Sequence, residues 1–414
     1  MTIVWVAPDV PYPLNTGANV AIFNRMREMS RRGHTQILLA FVPPRDLSKP
    51  LPAPLKEICA QVLTYPKLSR GRAMGRYLLA SSSPLRVITR PAQQLQLDLG
   101  EILKKRSPEV VQIENSILAH GLLKAETPRR TSFLINFHSL VHQEFERIAA
   151  YASSFSPSKI IFRMEAGRTR EFELGIFRKD DFDKYLFVSD VEMRCMAKLF
   201  PQLKDKLVTV PIGLDIDSWA GLPPIVKCEL HRGAPGKNIL FFGGFENPAN
   251  LDAVRWFARE VFPVVRRECP ATTFVIVGRN AQHYLADLRS PNVEIFSDVE
   301  DVRPHLACAD LCVMPLRGGG GVRVKLLEAI AARKVVVTTS LGLDGVVFSP
   351  GRHVLAADSA EEFAERCIEV LSHPERFTQM ARDAFALLGQ KYSWTAVGDQ
   401  LEGLYMEAVR RRQG

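Results

Sequence analysis

The feature that most constrains the fold is a repeated alternation of short, continuously apolar runs with helical segments. "TIVWVA" opens the chain, a Pro/Gly/Asn loop "PDVPYPLNTGAN" follows, then "VAIFNRMREMSRRGH" with apolar residues at helical spacing, and then "QILLAFV". Runs that are apolar at every position, and rich in β-branched residues, suit strands buried on both faces. Strand, helix, strand with such runs is the signature of a parallel sheet. Gly33 suits the end of the first helix. The alternation continues through "VVQIEN" (110–115), "TSFLINFHS" (131–139), "YLFVSD" (185–190) and "KLVTVPIGLDIDSW" (206–219). It restarts after a Pro- and Gly-rich stretch with no clear period, through "NILFFGGF", "TFVIVGR", "VEIFSD", "LCVMPL" and "VVVTTS". The long segment "NPANLDAVRWFAREVFPVVRREC" reads as one helix between the first two of these.

A chain of 414 residues is too long for one ordinary core. The expected class is α/β, with two Rossmann-like, doubly wound parallel sheets. The expected boundaries are residues 1–219 for the first domain, 220–237 for a linker, 238–393 for the second domain and 394–414 for a closing helix. In doubly wound sheets ligands sit beyond the carboxyl ends of the strands, and a cleft between two such domains is the default site.

Between the strand "LCVMPL" and the helical "VRVKLLEAIAARK" stand four glycines, Gly318 to Gly321, followed by Val322, Arg323, Lys325 and Glu328. A loose surface loop is one reading. The strand–loop–helix setting favours a phosphate cradle: glycines let backbone N–H groups approach an anion, a helix N-terminus carries partial positive charge, and the two cations can reach a diphosphate. Glu328 lies one turn beyond Lys325 on the same helix face. A carboxylate there would repel phosphate, but it accepts well from a ribose diol. The loop is not a Walker A motif, because Lys325 lacks the preceding Gly and following Ser or Thr. Nor does a GxGxxG follow the first strand.

The segment "ADLCVMPLRGGGGVRVKLLEAIAARKVVVTTSLGLDGV" resembles the donor-binding segment of the group 1 retaining glycosyltransferases of GT-B fold (glycosyltransferase family four). The resemblance covers nearly the whole chain. It extends to "VAPDVPYPLNTGANV", "LVTVPIGLDIDSW", "ILFFGGFENPANLDAVRWFAREVFP" and the closing "YSWTAVGDQLEGLYMEAV". It implies a GT-B enzyme that moves a sugar from a UDP- or GDP-sugar to a glycan or lipid-linked acceptor with retention, in bacterial envelope polysaccharide or glycolipid synthesis. It makes Glu328 the ribose ligand, and implies donor contacts from Gly17, Gly243, Gly319, Gly320, Gly321, Val322, Arg323 and Lys325. His138 is placed near the donor sugar, with His138, Lys325 and Arg323 as the catalytic group. The closing helix is expected to cross back onto the first domain. The family commonly carries two glutamates with seven residues between them; here Gly320 stands in the place of the first. No cofactor or metal is expected. The alternatives are a nucleotide-sugar 2-epimerase and a non-catalytic sugar-nucleotide binder.

Five lesser features bear on metals, partners and location. His138 and His142 form HxxxH, but no Glu lies between them, which argues against a zinc site. Glu171 and Glu173 read as a solvated helix face. The formal charge of +9 gathers in the N-terminal half, at Lys67, Arg70, Arg72, Arg76, Arg86, Arg90 and Lys104 to Arg106. A solvated basic face is one reading; docking on an anionic membrane surface or an anionic substrate is the other. Nucleic acid is not expected, since the cations lack interleaved aromatics and a known module. Seven scattered cysteines with no CxxC pair argue against a disulfide framework. The opening lacks the basic and apolar regions of a secretory signal, and no apolar run reaches the ~20 residues of a membrane span. A cytoplasmic location is expected, with peripheral attachment to the inner face of the membrane allowed.

Overall fold

A computed structural model of the chain describes residues 1–80, 83–120, 130–151, 157–220, 236–318 and 323–413. It divides into two units, one of Met1–Gly213 with Trp394–Gly414 and one of Leu214–Ser393.

The first unit holds a seven-stranded parallel sheet of β1 (Thr2–Ala7), β2 (Thr35–Val42), β3 (Gln61–Pro66), β4 (Val110–Ile113), β5 (Ser132–Phe137), β6 (Lys184–Phe187) and β7 (Leu207–Thr209). The strand order is β3-β2-β1-β4-β5-β6-β7. Alternate side chains of a strand face opposite sides of its sheet, and both sides are apolar here. Val4 and Val6 enter one core with Phe133 and Phe177. Ile3 and Trp5 enter the other, with Met26 of the helix Gly17–Arg31 and Leu401 and Tyr405 of the helix Trp394–Gln413. That closing helix repeats apolar residues at Val397, Leu401, Tyr405 and Ala408, and so lays one stripe on the sheet. Ion pairs from Lys184 to Glu407 (3.0 Å) and from Arg412 to Asp183 (2.9 Å) flank the stripe.

The second unit holds a six-stranded parallel sheet: β8 (Asn238–Phe242), β9 (Thr273–Gly278), β10 (Val293–Ser297), β11 (Leu311–Met314), β12 (Val336–Thr338) and β13 (Leu355–Ala356). Its order is β10-β9-β8-β11-β12-β13, so the winding direction reverses between β8 and β11. Phe241 and Leu240 again face opposite cores.

Three sequence expectations change. The division falls between Gly213 and Leu214 rather than after residue 219. The reason is packing: Leu214 and Trp219 join the second unit's core with Leu240 and Tyr392, and Leu214 N–H donates to Tyr392 C=O at 2.6 Å. Most of the expected linker, 221–235, lies outside the described residues. The long helix after β8 is three pieces, Pro248–Trp256, a π turn Phe257–Val261 and Phe262–Glu268. Pro263 lacks the N–H that a regular turn needs. Cys308 is disulfide-bonded, whereas Cys59, Cys195, Cys269, Cys312 and Cys367 are free.

Candidate active site

In the second unit the reversal point between β8 and β11 collects the charged groups. The helix Val324–Ala331 follows β11 and buries Leu326, Leu327, Ala329 and Ile330. This fixes the opposite residues, Lys325 and Glu328, half-buried at its start. Lys325 reaches across to the end of β8. Its Nζ donates to Asn250 Oδ1 at 2.6 Å and stands 4.8 Å from the Phe241 ring centroid. Asn250 is itself buried and held, its Nδ2 donating to Gly244 C=O at 2.6 Å. Gly243 makes the approach possible, because a Cβ there would lie 2.3 Å from Lys325 Nζ. Burial draws the Lys325 ammonium down to about 7, against the opposing charge of Glu328. Burial likewise pushes Glu328 up to about 7, against Lys325. Both groups therefore change charge close to neutrality.

Arg323 precedes this helix, and its Nη2 donates to Leu341 C=O at 3.2 Å, in the turn after β12. The first-turn N–H groups of the helix have no side-chain cap among the described residues, the condition in which a helix start receives an anion. Arg317, in the same loop, is engaged elsewhere: it pairs with Asp252 at 2.7 Å and lies over the Trp256 ring. Exposed Arg279, just past β9, comes close to Gly244. The site thus joins Gly243, Arg323, Lys325 and Glu328. Gly319, Gly320, Gly321 and Val322 lie outside the described residues. Sequence reasoning missed Asn250 and Arg279. The latter carries a legible signal, a cation directly after the strand "TFVIVG".

In the first unit, Gly17 starts the helix Gly17–Arg31, capped by Thr16 Oγ1 accepting from Asn19 N–H at 3.1 Å. Nothing lies within 4 Å of where a Gly17 Cβ would stand. His138, just past β5, is next to a buried carboxylate that the sequence reading passed over. Its Nε2 is 2.9 Å from Glu114 Oε2. Glu114 also accepts from Asn136 Nδ2 at 2.9 Å, and Arg25 Nη1 stands 3.7 Å away. The reading of Glu173 as solvated is corrected: it is fully buried. Its carboxylate accepts from Ser116 Oγ (2.8 Å), from the N–H groups of Val141 and His142, and pairs with His142 Nδ1 at 2.6 Å. Glu171 is exposed and pairs with Arg178. His138 and His142 therefore serve different carboxylates. Among the expected basic residues, Lys67 and Arg90 pair with Asp9, and Arg86 pairs with Glu144. Arg72 is exposed; the side chains of Arg70 and Arg76 lie outside the described set.

Residues 236–373 match the family described as glycosyl transferases group 1. The chain is similar to an uncharacterized 44.6 kDa protein in the cps region of Klebsiella pneumoniae, 24% identical over 94% of this chain and 96% of that one. It is also similar to the phosphatidyl-myo-inositol mannosyltransferase of Mycobacterium tuberculosis, 27% identical over 62% of this chain and 70% of that one. Among solved structures it resembles HepE of Anabaena in complex with UDP, with a TM-score of 0.60, 13% identity, and 98% and 100% of the two chains covered. At that identity the likeness is one of fold.

Proposed function

We propose, from the premise that this chain is a group 1 glycosyltransferase of GT-B fold, that it moves a sugar from a UDP- or GDP-sugar to a glycan or lipid-linked acceptor with retention. The observation that carries this reading is Lys325 held over Gly243 at the reversal point of the second sheet, with Glu328 one turn behind it. The sugar–diphosphate bond breaks with its electron pair passing to the diphosphate. Lys325, Arg323 and the start of the helix Val324–Ala331 stabilise that growing charge, and such prearranged stabilisation usually lowers a barrier more than any other effect. No resident metal is required in this scheme. Glu328 accepts from the ribose hydroxyls, Gly17 and Gly243 let backbone approach the donor, and Gly319, Gly320, Gly321 and Val322 are assigned to the same donor site. His138 orients the departing sugar. The acceptor hydroxyl attacks the face that the diphosphate leaves, and its proton goes to the leaving oxygen. The UDP in the HepE complex supports a nucleotide-sugar donor. The lipid named in the mycobacterial relative supports an acceptor at a membrane.

The membrane part of the proposal rests on one patch of the first unit. Ile160, Ile161 and Met164 are 65%, 56% and 49% exposed on the helix Pro157–Lys179, beside exposed Arg163. The helix Arg70–Ala80 packs alongside, with the Arg168 guanidinium 4.4 Å from the Tyr77 ring, and adds exposed Met74 and Arg72. Exposed apolar side chains with exposed arginines on the same helices suit an anionic bilayer surface. No helix among the described residues is long and apolar enough to cross a membrane.

Calorimetry of UDP and GDP on K325A and E328A tests the donor site. Each variant is expected to lose at least about tenfold in nucleotide affinity, on the scale of one charge-assisted contact. Unchanged affinity in both would sink this assignment of the loop.

A further inference from the structure

We propose that Glu114 is a positioning residue for His138, fixing which imidazole nitrogen carries the proton; its bearing on catalysis rests on the role given to His138 above. Glu114 directly follows β4, and its N–H donates to Val6 C=O at 2.9 Å. Its carboxyl group is fully buried. Burial alone would push it up, but the His138 hydrogen bond, the charge of Arg25 and the Asn136 hydrogen bond together hold it below its ordinary value. It is therefore a carboxylate, able only to accept. The His138 nitrogen 2.9 Å from it, Nε2, must then be the one bearing hydrogen. In the neutral ring Nδ1 is left as the acceptor.

Asn136 lies on β5 two residues before His138, and one carboxylate oxygen gathers both side chains. Arg25 separates orientation from neutralisation. It is buried, anchored by Nη2 on Val210 C=O at 2.9 Å, and supplies the countercharge that a buried carboxylate requires. A network built only for stability would also satisfy its polar atoms. Here Glu114 Oε1, Asn136 Oδ1 and His138 Nδ1 are all buried without a hydrogen-bond partner among the described residues. The ring is held at the carboxyl edge, where the first sheet reverses between β1 and β4.

The test combines turnover with spectroscopy on the full chain. E114Q is expected to lower kcat by about tenfold to a hundredfold, the scale of a misoriented catalytic group, with donor KM nearly unchanged. In an H138A background it should have no further effect, because Glu114 acts through the ring. An equal loss in that background would mean a purely structural role and overturn the proposal. Imidazole 15N shifts read the ring without any turnover: His138 is expected as the Nε2–H form in the wild type and as a changed tautomer population in E114Q. A ring indifferent to E114Q sinks the positioning by Glu114, whatever H138A does. Wild-type turnover by H138A would instead sink the role of His138 itself. Should E114Q fail to fold, R25M/E114Q removes both buried charges and allows the same NMR reading.

Discussion

The ammonium of Lys325 and the side-chain carbonyl of Asn250 stand 2.6 Å apart, joining the helix after β11 to the helix after β8. That bond places a cation at the reversal point of the sheet, and it depends on the backbone beneath it. Gly243 has φ +155°, and a Cβ there would meet Lys325 Nζ at 2.3 Å. Gly278 has φ +156°, and a Cβ there would meet Gly243 C=O at 1.7 Å. The two glycines should fail differently. G243A displaces the end of a flexible side chain, so nucleotide affinity should fall by about tenfold or more while the melting temperature drops modestly. G278A drives into rigid backbone, so loss of folded protein should dominate. Calorimetry beside thermal melts separates the two, and the reverse pattern would contradict the geometry.

Lys325 and Glu328 both titrate at about 7 in the free chain, each moved there first by burial. A bound diphosphate favours the ammonium, so affinity should fall as pH rises above about 7, by up to tenfold per unit. Ribose hydroxyls favour the carboxylate, so affinity should also fall as pH drops below about 7. The affinity–pH curve for the nucleoside diphosphate is expected to be a bell. K325A should lack its alkaline limb and E328Q its acid limb. A flat wild-type curve between pH 6 and 8 would refute the linkage.

Asn250 offers a sharper probe of the same pair. Asp at that position would add a charge next to Lys325, stabilise the ammonium and move the alkaline limb to higher pH. It would also compete with the diphosphate, so N250D should bind nucleotide at least about tenfold more weakly at pH 7 than the wild type. Titration calorimetry across pH reads both effects. An alkaline limb that stays in place in N250D would mean that Asn250 does not touch the working lysine.

The sequence made most strands legible because each is an apolar run between turn residues, as in "TFVIVG" and "LCVMPL". It concealed β3, whose "QVLTYP" alternates weakly on an edge of the sheet. In the site, Lys325 and Glu328 were readable because both come from one helix with fixed spacing. Asn250 and Glu114 were not, since their partners lie far off in the chain: Asn250 meets Lys325 from the helix after β8, and Glu114 meets Arg25 and His138 only when the helix Gly17–Arg31 and the ends of β4 and β5 come together. A carboxylate after "VVQI" carries no local mark of being buried.

Glu173 was misread for the same reason, and it yields a stability contrast. Its carboxylate holds Ser116 Oγ, two backbone N–H groups and His142. Removing it in E173A strands those donors in the interior and should cost about 3 kcal/mol or more. E171A, on the exposed side of the same helix, should change stability by less than about 0.5 kcal/mol. Urea denaturation measures both, and equal small changes would mean that the buried cluster is not formed in solution.

Membrane attachment can be tested by separating the two kinds of basic residue. Arg86 is paired with Glu144 on both its amino groups, so R86A should leave vesicle binding nearly unchanged. Arg72 and Arg163 are exposed beside the apolar patch, and each should contribute about 1 kcal/mol on phosphatidylserine-rich vesicles. That attraction should weaken as salt shortens the screening length. Ile160 and Ile161 insert rather than attract, so I160D/I161D should reduce binding at high and low salt alike. Sedimentation with vesicles reads all four variants. Binding that ignores I160D/I161D but falls with R86A would move the contact away from this helix and return it to the paired cations.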